Sequence, residues 1–487
     1  MKKLLRVSYV LVALFASSSA CTDDITSINT NPKAYQAGSV QADAFFSNAT
    51  RNLTDAVVYG FTFKILAQQF SETTYFTTSA YNLVDVGSGF WTSMYRDVLR
   101  DYAEAKTVLT NSPSLFPDVD NNKRAIIDIM EVYTYSLLVN TYGNVPYSGA
   151  INTALQTKAL DSDNLTPAYD DAAAIYDDLF ARLDRDLGML KTSSTSFGTA
   201  DLIYGGSVAK WVKFANSLKL RMAVTLADVN PTKAKTLAEA AVKAGVFTAN
   251  SDNAILTYLA TTPNTNPIWV GLIQSGREDY VASNTMMNIL QAPTVKDPRI
   301  PLFYTKDNTG GYTGGIYGRS NAYITYSKAG TSVTAQTTPG VLLSYDEIAF
   351  YLAEAAARGY SVGGTAESFY NAGITASILY WGGTAASTTT YLADPAVAYA
   401  TAIGSTPLQR IARQKYIALY NRGLEAWTEY RRLDYPTLNT PPVPQGDFPV
   451  RYTYPNSEQT SNIANYTTAA AAIGSDKLTT KVFWDTK

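Results

Sequence analysis

The sequence predicts a mainly α fold: a tetratricopeptide-like scaffold of helical hairpins, with long irregular loops and a few short strands forming one face. Three observations predict it. Apolar residues recur at helical spacing over most of the chain. The helices come in pairs joined by short, capped links. Two long stretches rich in Gly, Thr, Asn, Pro and Tyr carry almost no helical period. The consensus of the tetratricopeptide repeat is not legible, so the likeness is one of architecture.

At the start of the chain Lys2, Lys3 and Arg6 precede an apolar run from Val7 to Phe15, and small residues lead to Ala20. This is a secretory leader, residues 1–20. Its apolar run is too short to span a membrane, and no later stretch approaches the roughly 20 apolar residues a spanning helix needs. Cleavage after Ala20 leaves Cys21, the single cysteine, at the new N-terminus. Its thiol is there a lipid attachment point and residues 21–40 a tether; a plain secreted protein is the alternative. Acyl chains at roughly 0.8 kcal/mol per buried CH₂ then hold the protein on a membrane.

Residues 41–260 read as the first part of the scaffold. A mostly apolar helix begins near Arg124 and ends on Gly143, a C′ glycine. Tyr169, Ala173, Tyr176, Phe180, Leu183 and Leu187 mark a second. "VAKWVKFANSLKLRMAVTLADV" and "NPTKAKTLAEAAVKAG" form a hairpin, with Asn230 as cap and Pro231 in the first turn. Residues 261–343 are a loop-rich insertion. In residues 344–436 helices return: Ser344 and Glu347 suggest a capping box, Ala366 to Trp381 is the hairpin partner, and one long helix runs from about Pro407 to Leu433. Residues 437–487 are a Pro-rich irregular segment. Structureless stretches this long in a compact protein are usually functional surfaces.

Composition excludes several functions. Lys and Arg number 39 against 41 Asp and Glu, so there is no basic excess with which to neutralise nucleic acid. Histidine is absent and there is one cysteine, which removes Ser-His-Asp and Cys-His nucleophile systems and the usual zinc and haem ligand sets. No cofactor is expected. Asp118, Asp120 and Asn122 begin like a calcium loop, but Lys123 stands where glycine is required and Ile129 where the bidentate Glu belongs. The length, 487 residues, exceeds what one compact core usually holds, so two domains or one large domain with insertions are expected.

Thirty-five tyrosines suit half-wet grooves, since the ring is apolar and its tip polar. Many belong to the core: Tyr416, Tyr420, Trp427 and Tyr430 recur at helical spacing. The candidate binding groups lie in the loops. Tyr75, Tyr81, Asn82, Asp85 and Trp91 form one group. Trp269, Arg277, Asp279, Tyr280, Tyr312, Tyr317 and Tyr323 form the other. Sugars present an apolar C–H face ringed by hydroxyls, which aromatic faces flanked by Asp, Asn and Arg complement. Alanine at Trp91 or Tyr280 is expected to weaken oligosaccharide binding without moving the thermal midpoint.

"NSLKLRMAV", "NPIWVGLIQSGREDYVASNTMMNIL", "KDPRIPLFY", "EIAFYLAEAAARGY", "YNAGITASILYWG", "QKYIALYNRGLEAWTEYRRLDYP" and "VRYTYPNSEQTSN" stand in order along the chain, with "INTNPKAY" and "YGNVPYSGA" before them and "TKVFWD" at the end. Together they resemble the successive blocks of the SusD/RagB family, in its branch of starch-utilisation-system D-like outer-membrane lipoproteins. The resemblance implies a helical scaffold with an irregular binding face and a place on the bacterial cell surface. It implies capture of a glycan or oligopeptide, and a SusC-like TonB-dependent barrel as partner. Asp23 and Asp24 resemble the acidic residues that mark such lipoproteins for the outer face. A glycoside hydrolase or lyase using two carboxylates is the alternative from another class, and a helical scaffold for protein partners a third.

Overall fold

The structure is a computed structural model and describes residues 40–155 and 158–487. The leader, Cys21, Asp23 and Asp24 lie outside the described residues. Among those described, no helix is long and apolar enough to cross a membrane.

Helical hairpins make the scaffold. Pro117–Tyr142 packs on Ala172–Met189, Val208–Thr225 on Pro231–Ala244, and Tyr345–Ala357 on Ala366–Tyr380. Local chemistry sets their ends. Asp171 accepts from the Ala174 amide and Asn230 from the Lys233 amide, satisfying donors a helix start leaves free. Gly143 turns with φ 84°, a conformation that glycine adopts without strain. A single apolar core extends from Ala42 to Ala469, with a smaller cluster around Phe350, Tyr370 and Ile411. Trp211 and Trp427 are fully buried in it. Each such side chain contributes roughly 1.5–3 kcal/mol.

Four short strands complete the fold: β1 (Phe70–Glu72), β2 (Ala254–Leu256), β3 (Tyr280–Ala282) and β4 (Gly340–Leu343). β1 pairs antiparallel with β3, Glu72 opposite Tyr280, and β2 with β4. The first pair brings the start of one loop group against the other.

Several elements differ from the sequence reading. The helix expected from Arg124 begins at Pro117, a residue preorganised for a first turn. The long helix expected over 407–433 is two helices, Pro407–Ala418 and Gly423–Leu433, broken where Asn421 takes φ 64°. The second packs so closely on Phe61–Leu66 that a Cβ at Gly423 would lie 2.3 Å from the Lys64 backbone nitrogen. One straight helix cannot reach that position. Ser344 makes no capping box: its hydroxyl donates to Asp346, while Glu347 pairs with Arg422. The insertion contains a two-turn helix, Asn284–Gln291, and the Pro-rich end contains Asn456–Ser461 and Ile463–Ala472. Pro455 stands before the first of these rather than inside it.

Candidate functional site

The two loop groups meet along the β1–β3 pair. The Thr73 amide donates to the Asp279 carbonyl at 2.9 Å, and Thr73 Oγ1 to the Glu278 carbonyl at 2.6 Å. Asn321 ties in the third strand of chain: its Nδ2 donates to the Glu72 carbonyl at 2.8 Å, its Oδ1 accepts from the Ile316 amide at 2.7 Å, and its own amide donates to Thr73. Buried Glu72 folds the loop that follows, accepting from the Ser79 amide and hydroxyl. Burial pushes its carboxyl up and those two donors pull it back.

On this frame lies a shallow cleft lined by Leu272, Ile273, Arg277, Tyr280, Tyr323 and Lys328, with Phe70 at its floor. Tyr280 stacks on Phe61, centroids 4.2 Å apart and planes within 4°, and is half-exposed. Tyr59 lies edge-on to Phe61 at 5.6 Å and is 46% exposed. Tyr59, Phe61 and Tyr280 thus form an aromatic ladder with its two outer rungs wet. The Lys328 ammonium sits 5.0 Å above the Tyr323 ring. Arg277 Nε donates to Asp279 at 2.5 Å, and that hydrogen bond holds its guanidinium above the usual range. Desolvation raises the phenols of Tyr280 and Tyr323, so both are neutral donors near neutral pH. Aromatic faces, neutral hydroxyls and a charged rim can hold a polyhydroxylated ligand.

The remaining predicted residues divide. Tyr75 is 78% exposed on the same loop. Asn82 is exposed but bonded to Gln445, and exposed Asp85 accepts from the Asn456 amide, so both fasten the C-terminal segment. Trp91 was expected to bind and is instead a core residue, 7% exposed between Tyr95, Tyr142 and Tyr454. Tyr81 and Tyr317 are likewise buried, against one another. Tyr312 packs on the core and its carbonyl accepts from Gln291. Trp269 is half-buried at the start of Trp269–Gln274 and is not part of the cleft lining.

Sequence reading missed Tyr59 and Lys328. Tyr59 ends an amphipathic helix and reads as core by period; its signal is the close approach of Gly271, where a Cβ would meet the Tyr59 ring at 2.5 Å. Arg431 and Arg432 are structural, the first bonded to the Asn140 and Val450 carbonyls, the second to Glu354 and Glu429. Asp118 and Asp120 lie in the first turn of Pro117–Tyr142, and Asp120 accepts from the Ser114 amide. Among the described residues no acidic or thiol cluster is disposed to hold a metal.

Residues 32–455 match the SusD-like_2 family, described as starch-binding associating with outer membrane. The chain belongs to the SusD-like family. Among solved structures, a SusD homolog from Bacteroides uniformis is 27% identical, with TM-score 0.78 over 91% of this chain and 99% of that one. A chitin-binding SusD homolog from Flavobacterium johnsoniae is 26% identical, with TM-score 0.75 over 92% and 98%. A further chitin-binding protein is 27% identical, with TM-score 0.79 over 92% and 100%. Among curated proteins none matches. SusD-like proteins bind carbohydrate and are not enzymes, and this chain is therefore read as a binding protein.

Proposed function

We propose that this SusD-like protein is a cell-surface lipoprotein, anchored through Cys21, that captures a glycan and delivers it to a SusC-like TonB-dependent outer-membrane transporter. The observation that carries capture is the cleft: two half-exposed tyrosines, Tyr280 and Tyr323, framed by Arg277 and Lys328 on a frame of backbone hydrogen bonds. Two structurally similar proteins named as chitin-binding support a β-linked amino-sugar polymer as first ligand to try. Family membership and a chain with one cysteine directly after its leader support the anchor.

Affinity electrophoresis through gels containing glycol chitin or starch tests capture. Retardation of the wild type that is lost in Tyr280→Ala/Tyr323→Ala is the expected result. Equal mobility of both proteins in every gel overturns the cleft as the site, and retention on an oligopeptide resin instead moves the ligand to peptide. For the anchor, mass spectrometry of the mature N-terminus should show acylated Cys21, and Cys21→Ala should shift the protein from the membrane to the soluble fraction. Co-purification of a SusC-like barrel with the tagged protein from its native membrane tests delivery.

A further inference from the structure

A second cavity lies apart from the cleft. On the other side of the short helix Thr331–Thr334, which contributes Thr334 to the cleft, Ser332 of the same helix opens onto a pit of about 160 Å³. The base is apolar: Val57, Val58, Ala418 and the buried ring of Tyr420. Trp381 stands over Tyr420 with centroids 5.7 Å apart, and Tyr380 lies edge-on to Trp381 at 5.5 Å. Ser332 and Pro339 are exposed at the mouth.

One wall is polar and buried. Asp346 is 5% exposed; its Oδ1 accepts from the Ser344 hydroxyl and the Glu347 amide, bonds in which Oδ2 takes no part. Asn421 Oδ1 and Arg422 Nε, both from lining residues, have no hydrogen-bond partner. Buried polar groups without partners are uncommon and point to a missing one. The charges around the wall nearly balance. Arg422 pairs with Glu347 and lies 3.7 Å from Glu425, and Arg221 lies 3.7 Å from Glu347. An ion entering the pit would meet no large uncompensated charge, whereas a neutral ligand bearing several hydroxyls would meet an acceptor, a phenol and a carboxamide beside aromatic rings.

We propose that this pit, lined by Asp346, Tyr380, Trp381, Tyr420 and Asn421, is a second saccharide site that takes the end of a neutral glycan. It is closed at its base, so it suits a terminal unit rather than the middle of a chain. The choice of sugar as ligand rests on the proposed glycan capture; the pit itself does not.

Ligand-observed saturation-transfer NMR on the mature protein, with N-acetylglucosamine, glucose, galactose and mannose each at millimolar concentration, tests this. At least one sugar should give transfer in the wild type and an unchanged signal in Tyr280→Ala/Tyr323→Ala. The signal should fall at least fivefold in Ser332→Trp, which plugs the mouth from an exposed position, and in Asp346→Asn, which keeps the side-chain shape. Circular dichroism melting confirms that each variant is folded. Absence of transfer from all four sugars, its persistence in Ser332→Trp, or its loss in the cleft variant alone overturns the proposal. Gel retardation of long polysaccharide follows the cleft and is read independently, so either site can fail without the other.

Discussion

Trp91 and Tyr280 show how much a single ring's surroundings decide. Both are aromatic, both stand in loop-like sequence, and both were expected to bind. Trp91 is enclosed by four tyrosines, so Trp91→Ala is expected to cost on the order of 3–5 kcal/mol in stability and to leave the cleft in place. Tyr280→Ala keeps Phe61 covered only in part, with a smaller stability loss, and is expected to weaken oligosaccharide binding about tenfold. Urea unfolding and isothermal titration on the two variants separate these outcomes; matching profiles would contradict the assignment. Lys64 supplies a different residue-scale test. Fully buried, with its ammonium donating to the Val58 carbonyl, it is lowered from 10.5 to about 7 by desolvation. Between pH 7 and 10.5 the unfolded chain holds the extra proton, so this group's contribution to stability rises with pH through that window and is least favourable below it. Lys64→Met is expected to remove that slope, at most about 1.4 kcal/mol per pH unit. An unchanged pH profile of denaturant midpoints would count against a buried amine of that character.

At the scale of elements, hairpins were legible and breaks were not. Asn230–Pro231 and the glycine after Tyr142 act within one turn of the helices they bound, so local sequence carries them. The interruption after Ala418 follows from the approach of Gly423 to Lys64, residues 359 positions apart, and no window of sequence contains both. The same holds for the candidate site. Exposed tyrosines in the loops were visible as a group, but which rings face water depends on pairings such as Phe61 with Tyr280 that only the fold sets. Asn321 is the element-scale test. It joins the 312–328 loop to the end of β1 through bonds to the Glu72 and Thr73 carbonyls, and it folds the loop itself through bonds to Ile316 and Arg319. Asn321→Ala is expected to cost about 1–3 kcal/mol, leaving buried carbonyls unpaired. Hydrogen exchange should quicken in residues 312–328 and 70–73 while the helices are unaffected. Uniform protection across the variant would show that the loops hold together without it.

Over the whole molecule, buried ion pairs join helices of different hairpins. Arg432 reaches Glu354 at 2.6 Å and Glu429 at 2.6 Å, and Lys415 reaches Glu429 at 2.6 Å, linking three scaffold helices. Arg432→Met leaves two carboxylates buried without their main cation and is expected to lose about 3–5 kcal/mol by equilibrium denaturation. Simultaneous Arg432→Met and Glu354→Gln should recover part of that loss, which a purely steric effect would not. The β1–β3 pair has a consequence in time as well as in space. Its strands are three residues long and stand more than 200 positions apart, and Asn321 closes the frame later still. As the chain grows from its N-terminus, β1 precedes its partners, so the frame under the cleft cannot be complete before Asn321 is made, and a chain interrupted before residue 321 lacks the cleft.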